Sequence, residues 1–230
     1  MIDRRELRAG IAVVAPMLVG ALPFGLVAGA TPVAEGLGAA AALGFSTIVF
    51  AGASQLAAID VLGDGGSALV AAVTAWTINL RMLLYSASLA PHLADQPLRR
   101  RLTVAYLLTD QAYAVSIARW TQPHPGDATA RWSFYIGGAL AVAVVWVTAT
   151  LVGAVVGEAI PDDVPLDFAV PLVFLVLLVP VVTARPAAVA AAVGGIGAVL
   201  AAELGAGHLS ILIGAVAGII AGAATDRAPA

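Results

Sequence analysis

Arg81 and Asp110 are the residues best placed to do chemistry, because each carries its charge inside a stretch otherwise fit for lipid. Arg81 lies within Trp76-Thr77-Ile78-Asn79-Leu80-Arg81-Met82-Leu83-Leu84-Tyr85, and Asp110 within Tyr106-Leu107-Leu108-Thr109-Asp110-Gln111-Ala112-Tyr113. An ionisable group at membrane depth is costly and normally faces a bundle interior, a cavity or a partner. Helical spacing puts Thr74, Thr77, Arg81, Tyr85 and Ser88 on one stripe, and Thr103, Tyr106, Asp110 and Tyr113 on a second. Two such neighbouring segments can bring Arg81 and Asp110 together. Arginine stays protonated, so Asp110 is the member able to exchange a proton, while Arg81 can neutralise it or hold a carboxylate. The same pair can instead fix helix register as a structural ion pair, or Arg81 can snorkel from a helix end.

Uncharged polar groups extend the candidate path. Ser54 and Gln55 follow Gly52, and Gln55 carries both donors and acceptors that lipid cannot satisfy. Asn79 and Thr109 sit beside the two charges. Pro23 and Gly25 mark a candidate helix break in the first apolar segment, where freed backbone groups could bind an ion or a zwitterion. Each has a plainer reading, as a helix–helix hydrogen bond or an ordinary kink. The three histidines, His92, His124 and His208, sit near expected segment ends with no ligand spacing. Trp120 and Trp132 bracket a loop and read as interfacial anchors. No nucleotide loop, metalloprotease helix or serine elbow is present, and no cofactor is expected.

The elements that must position these residues follow from composition. The 230 residues are 61 % hydrophobic and only 11 % charged, where a soluble domain carries roughly 25 %. Mean hydropathy is +0.99. Such a chain is an integral membrane protein, which argues against a soluble enzyme. Net charge is −3 and lysine is absent, which excludes a basic nucleic-acid binder, so no nucleic-acid partner is expected. Cysteine is absent too, so thiol catalysis, disulfides and thiolate metal sites are excluded. The apolar runs are long and unbroken, as helices need and outer-membrane strands do not.

The expected fold is an all-α polytopic bundle, a single membrane domain over 1–230. About eight segments are predicted: 9–30, 39–60, 66–90, 102–119, 132–157, 166–184, 187–203 and 208–224. Eight crossings with both termini cytoplasmic place seven arginines inside and three, Arg99, Arg100 and Arg101, outside. A re-entrant 39–60 gives six against four, so the eight-crossing scheme is preferred. The first apolar run exceeds an ordinary signal core and reads as a span. Gly214, Gly218 and Gly222 repeat every fourth residue, a spacing that lets a second helix approach closely and marks a candidate partner face. No internal repeat is legible, although an inverted structural repeat remains compatible with the pattern.

Taken in order, Pro23-Phe24-Gly25, Phe50-Ala51-Gly52-Ala53-Ser54-Gln55, Asn79-Leu80-Arg81-Met82-Leu83-Leu84-Tyr85, Leu89-Ala90-Pro91 and Leu108-Thr109-Asp110-Gln111-Ala112-Tyr113 resemble the AzlC family of branched-chain amino acid permeases. Met82 and Gln111 depart from the commoner histidine and glutamate at those places. The resemblance implies a non-enzymatic export permease for branched-chain or other hydrophobic amino acids in the inner or cytoplasmic membrane. It also implies a small hydrophobic membrane subunit of the AzlD type. Absence of any ATP-binding element makes a proton gradient the expected driving force. The competing classes are a membrane enzyme acting on a lipid and a membrane scaffold without transport.

Overall fold

The computed structural model describes residues 2–123, 126–157, 182, 184–206 and 209–226, without the side chain of Leu212. Most of the expected segment 166–184 lies outside these residues, as do Glu158, Asp162, Asp163, Asp167, His124, His208 and Arg227. The described residues are helices joined by short links. Four helical stretches, Arg4–Ala34, Ala68–Leu93, Ala128–Gly157 and Arg185–Glu203, are long and apolar enough to cross a membrane. The fold is all-α, as expected. The chain divides into two compact units, Met1–Val170 and Pro171–Ala230.

In the first unit, α1 (Arg4–Ala34) begins at Asp3, whose carboxylate accepts from the amides of Arg5 (2.8 Å) and Glu6 (3.3 Å). That cap satisfies two of the donors every helix start leaves free. The helix then runs unbroken through Pro16, Pro23 and Pro32, so the break expected at Pro23-Phe24-Gly25 does not occur. Gly25 instead packs on Ala149 and Trp146 of α8 (Ala128–Gly157). Gly10 and Gly29 of α1 lie against the backbone of Phe134 and Thr150, and Gly137 and Gly153 of α8 against Leu7 and Leu26. Contact positions rise together along both helices, so α1 and α8 are parallel. In lipid, such small-residue seams hold helices by close van der Waals packing.

Two short-armed hairpins lie between them. The first comprises α2 (Gly38–Gly44), a π-turn (Phe45–Val49) and α3 (Gly52–Gly63). Its outward arm has twelve residues, about 18 Å at 1.5 Å per residue, against a hydrocarbon core of about 30 Å. Phe50 then adopts φ +49, the left-handed region, and Ala51 is extended. α3 returns to the end where the hairpin began, because Gly63 packs on the Glu35 carboxylate at the end of α1. The β-branched run Thr47-Ile48-Val49 weakens the helix ahead of this turn.

α4 (Ala68–Asn79) and α5 (Arg81–Leu89) then cross together with a 3₁₀ turn, Ala90–Leu93. Leu80 between them stays right-handed, so direction is preserved. The 26 residues of this crossing span about 39 Å. The second hairpin, α6 (Leu98–Tyr106) and α7 (Asp110–Trp120), enters and leaves at the N-terminal end of α1. Arg100 lies over the Trp132 ring near the start of α8, and Arg119 pairs with Glu6 of α1 at 3.2 Å.

The expected second and fourth segments are therefore re-entrant pairs, and neither runs end to end. Only α4–α5 crosses between α1 and α8, which is why those two are parallel. A span followed by a hairpin occurs twice, inverted: α1 with α2–α3, then α4–α5 with α6–α7. Trp120 and Trp132 lie near helix ends and are buried within the protein, Trp120 beside His92 and Tyr135.

In the second unit, α9 (Arg185–Glu203) and α10 (Ser210–Asp226) are antiparallel. Gly214 packs on Gly194 and Ala198, Gly218 on Ala190 and Gly194, and Gly222 on Ala190. The glycine face read as a partner surface is occupied by α9. Its spacing signals close approach without saying which helix approaches.

Candidate functional site

Three breaks meet at one depth in the first unit. The first hairpin contributes Val49, Phe50 and Ala51, the crossing contributes Asn79, Met82, Leu83 and Ser86, and the second hairpin contributes Ala105, Tyr106 and Leu108. Together they line a cavity of about 220 Å³. The hairpin tips touch directly: the Tyr106 hydroxyl donates to the Thr47 carbonyl at 2.7 Å, and its ring stacks on Phe50 with centroids 6.0 Å apart. Tyr106 thus supplies Thr47 with a donor close to where the helical backbone ends. Buried ring area at Phe50 offsets its left-handed backbone, which costs roughly 1–2 kcal/mol.

The charged pair forms as the stripes predict, with one change. Arg81 Nη2 lies 3.1 Å from Asp110 Oδ2. Asp110 is the first residue of α7, not the middle of a continuous helix, because residues 107–109 interrupt the fourth segment. Thr109 caps that start by accepting from the Ala112 amide at 3.2 Å. A helix N-terminus favours the carboxylate it carries. The Tyr85 hydroxyl donates to Asp110 Oδ1 at 2.9 Å, and the Tyr85 and Tyr113 rings stack at 4.2 Å. Tyr113 in turn donates to Ser88 at 3.3 Å. On α5 the residues Arg81, Tyr85 and Ser88 lie on one face, and Met82, Leu83 and Ser86 on another. The charged cluster and the cavity therefore share a helix without sharing lining residues.

A family profile described as "AzlC protein" matches residues 16–160. The chain belongs to the AzlC family. The match runs from within α1 to beyond α8 and so takes in both hairpins and the cavity. Among AzlC relatives, "Inner membrane protein YgaZ" of Escherichia coli strain K12 is 27 % identical over 218 residues, covering 91 % of this chain and 85 % of its own. An "Uncharacterized membrane protein" of Archaeoglobus fulgidus is 30 % identical over 201 residues, covering 86 % and 84 %. One of Helicobacter pylori is 26 % identical over 162 residues, covering 70 % and 69 %. No solved structure matches.

The remaining candidate residues of this AzlC chain stand apart from the cavity. Ser54 and Gln55 are fully buried on α3. Ser54 donates to the Ala51 carbonyl at 2.9 Å, bracing the start of α3. Gln55 Nε2 donates to Ser46 Oγ at 3.0 Å, and Ser46 meets the Thr150 hydroxyl at 2.9 Å. This chain of bonds ties both arms of the first hairpin to α8. Gln55 Oε1 and Asn79 Oδ1 are buried without a hydrogen-bond partner among the described residues. Pro23 and Gly25 lie on α1, away from the lining. Among the eleven path candidates, Asn79 and Tyr106 line the cavity. Sequence reasoning missed Val49, Phe50, Met82, Leu83, Ser86 and Leu108 as lining residues. Apolar side chains in an apolar chain carry no signal until the breaks are located; the αL residue Phe50 has none at all.

Proposed function

We propose that this AzlC chain is a secondary permease that exports branched-chain or other hydrophobic amino acids, with proton coupling through Asp110. The observation that carries the reading is the convergence of three interrupted elements on one partly open cavity. Transporters place substrate sites at such interruptions, between repeats of inverted topology. Rocking one hairpin tip past the other would open the cavity to each side in turn. Asp110, held by Arg81 and Tyr85 on the far side of α5, can gain or lose a proton as that packing changes.

The arginines support an orientation. Arg4, Arg5, Arg8, Arg99, Arg100, Arg101, Arg119 and Arg131 all lie at the N-terminal end of the first unit, and the opposite end carries Glu35, Asp60 and Asp64. Positive loops stay in the cytoplasm, so the N-terminal end faces inward in a multi-pass protein of the inner or cytoplasmic membrane. A small AzlD-type hydrophobic subunit completes the exporter. The test is reconstitution of both chains in vesicles loaded with leucine, isoleucine, valine or methionine. Flux that responds to a proton ionophore is the expected result. No flux for any of the four overturns the transport reading; ionophore-insensitive flux overturns the coupling alone.

A further inference from the structure

We propose that Met82 determines which side chains the cavity accepts, setting an upper limit near the size of leucine; the inference rests on the amino acid transport reading. Met82 follows Asn79 by three residues and precedes Ser86 by four, so it sits centrally on the wall that the crossing presents. Val49, Leu83 and Leu108 supply further aliphatic lining, and Asn79 supplies a polar edge beside the break. A wall with one polar edge and an aliphatic remainder complements a zwitterionic head joined to a short branched tail. The volume of about 220 Å³ falls below the roughly 300–1,000 Å³ of drug-sized pockets, so a few heavy atoms decide fit. Methionine is unbranched and adaptable, which lets one wall receive valine, leucine and isoleucine despite their different branching. It also packs against the buried core cluster that includes Phe50, Leu89 and Leu108, which ties its position to the lining around it.

The test uses the purified full-length chain and a panel of alanine, valine, leucine and phenylalanine, with affinities read from ligand-induced shifts of the unfolding midpoint. Met82→Ala should lower the leucine-to-phenylalanine preference by about tenfold or more, since single methylene differences in such pockets discriminate roughly 10–200-fold. Met82→Phe should weaken leucine by a similar factor and spare alanine, and the volume-conserving Met82→Leu should keep the wild-type rank order. If one enlarged or filled variant fails to fold, the other decides. Folded variants that preserve the wild-type rank order, or weaken all four ligands equally, overturn the role of Met82. A wild-type protein that binds none of the four overturns the transport reading beneath it.

Discussion

Asp64 distinguishes a hairpin from a crossing. If residues 38–63 crossed as one helix, their 26 positions would cover about 39 Å and place Asp64 on the membrane side opposite Glu35. The observed arm of twelve residues reaches about 18 Å, and the turn at Phe50-Ala51 brings α3 back by about the same length. The two arrangements differ by the whole core, about 30 Å, in where Asp64 emerges. Asp95 gives the complementary site: it pairs with Arg131 at 3.5 Å, at the N-terminal end of α8. The chain has no native cysteine, so Asp64→Cys and Asp95→Cys each give a single label site. Both side chains are exposed, and the surface pair at Asp95 contributes about 1 kcal/mol or less, so neither substitution should disturb the fold. An impermeant maleimide applied to intact cells should label Asp64→Cys, and should reach Asp95→Cys only after permeabilisation. Because α4–α5 separates these two sites in either arrangement, the exposed Ile2→Cys ahead of α1 decides: its labelling from the same side as Asp64→Cys refutes the first hairpin. Labelling of Ile2→Cys and Asp95→Cys from outside with Asp64→Cys protected leaves the hairpin intact and refutes the orientation assigned from the arginines.

Tyr106→Phe removes one hydrogen bond to the Thr47 carbonyl, roughly 0.5–1.5 kcal/mol, and keeps the stack on Phe50; it should alter flux while the unfolding midpoint moves little, and unchanged flux refutes a gating role. Gly29→Ala places a methyl against the Thr150 carbonyl, and should cost about 1–3 kcal/mol in chemical unfolding. Gly44→Ala, which meets open space in a helical backbone, should gain up to about 1 kcal/mol; equal effects would refute the α1–α8 seam. The Arg81 and Asp110 side chains are 34 % and 44 % exposed, so a double-mutant cycle with Arg81→Gln and Asp110→Asn should give a coupling of about 1 kcal/mol or less. A coupling of roughly 3–5 kcal/mol would mark a dry structural pair. Asp110→Asn should fold and lose or uncouple flux; normal proton dependence in that variant refutes the switch. Gly218→Leu should disrupt the α9–α10 pair itself, read as loss of folded protein, because Ala190 and Gly194 already fill that contact.

The membrane class, the apolar segments and the Arg81–Asp110 pairing were legible because composition and helical spacing report burial directly. The hairpins were not. Residues 39–60 and 102–119 are long enough and apolar enough to cross, and nothing in their hydropathy records a turn. The arginine count held the clue. One re-entrant segment alone worsens the balance to six against four, because reversing a single segment also reverses everything after it. Two re-entrant segments cancel, and all eight arginines outside the crossings of the first unit fall at one end. Pro23, the candidate break, pointed in the other direction: α1 continues through it. Proline tells where a donor is missing, but the helix continues through it where α1 packs on α8. The cavity stayed hidden for the same reason as the hairpins: its lining is defined by where the chain breaks.

The parallel seam between α1 and α8 also sets an order of assembly. About 120 residues separate Ala34 from Gly157. At 5–20 residues per second, roughly 6–25 s pass between the two ends leaving the ribosome. Through that interval both hairpins are already made, yet the wall they lean on is missing. Ser46 and Gln55 wait for Thr150, and Val104 waits for the Tyr135 hydroxyl that donates to its carbonyl. Neither hairpin is long enough to anchor itself across the bilayer. A chain stalled before α8 therefore presents two half-inserted polar tips to lipid, and quality control has a defined window in which to recognise it.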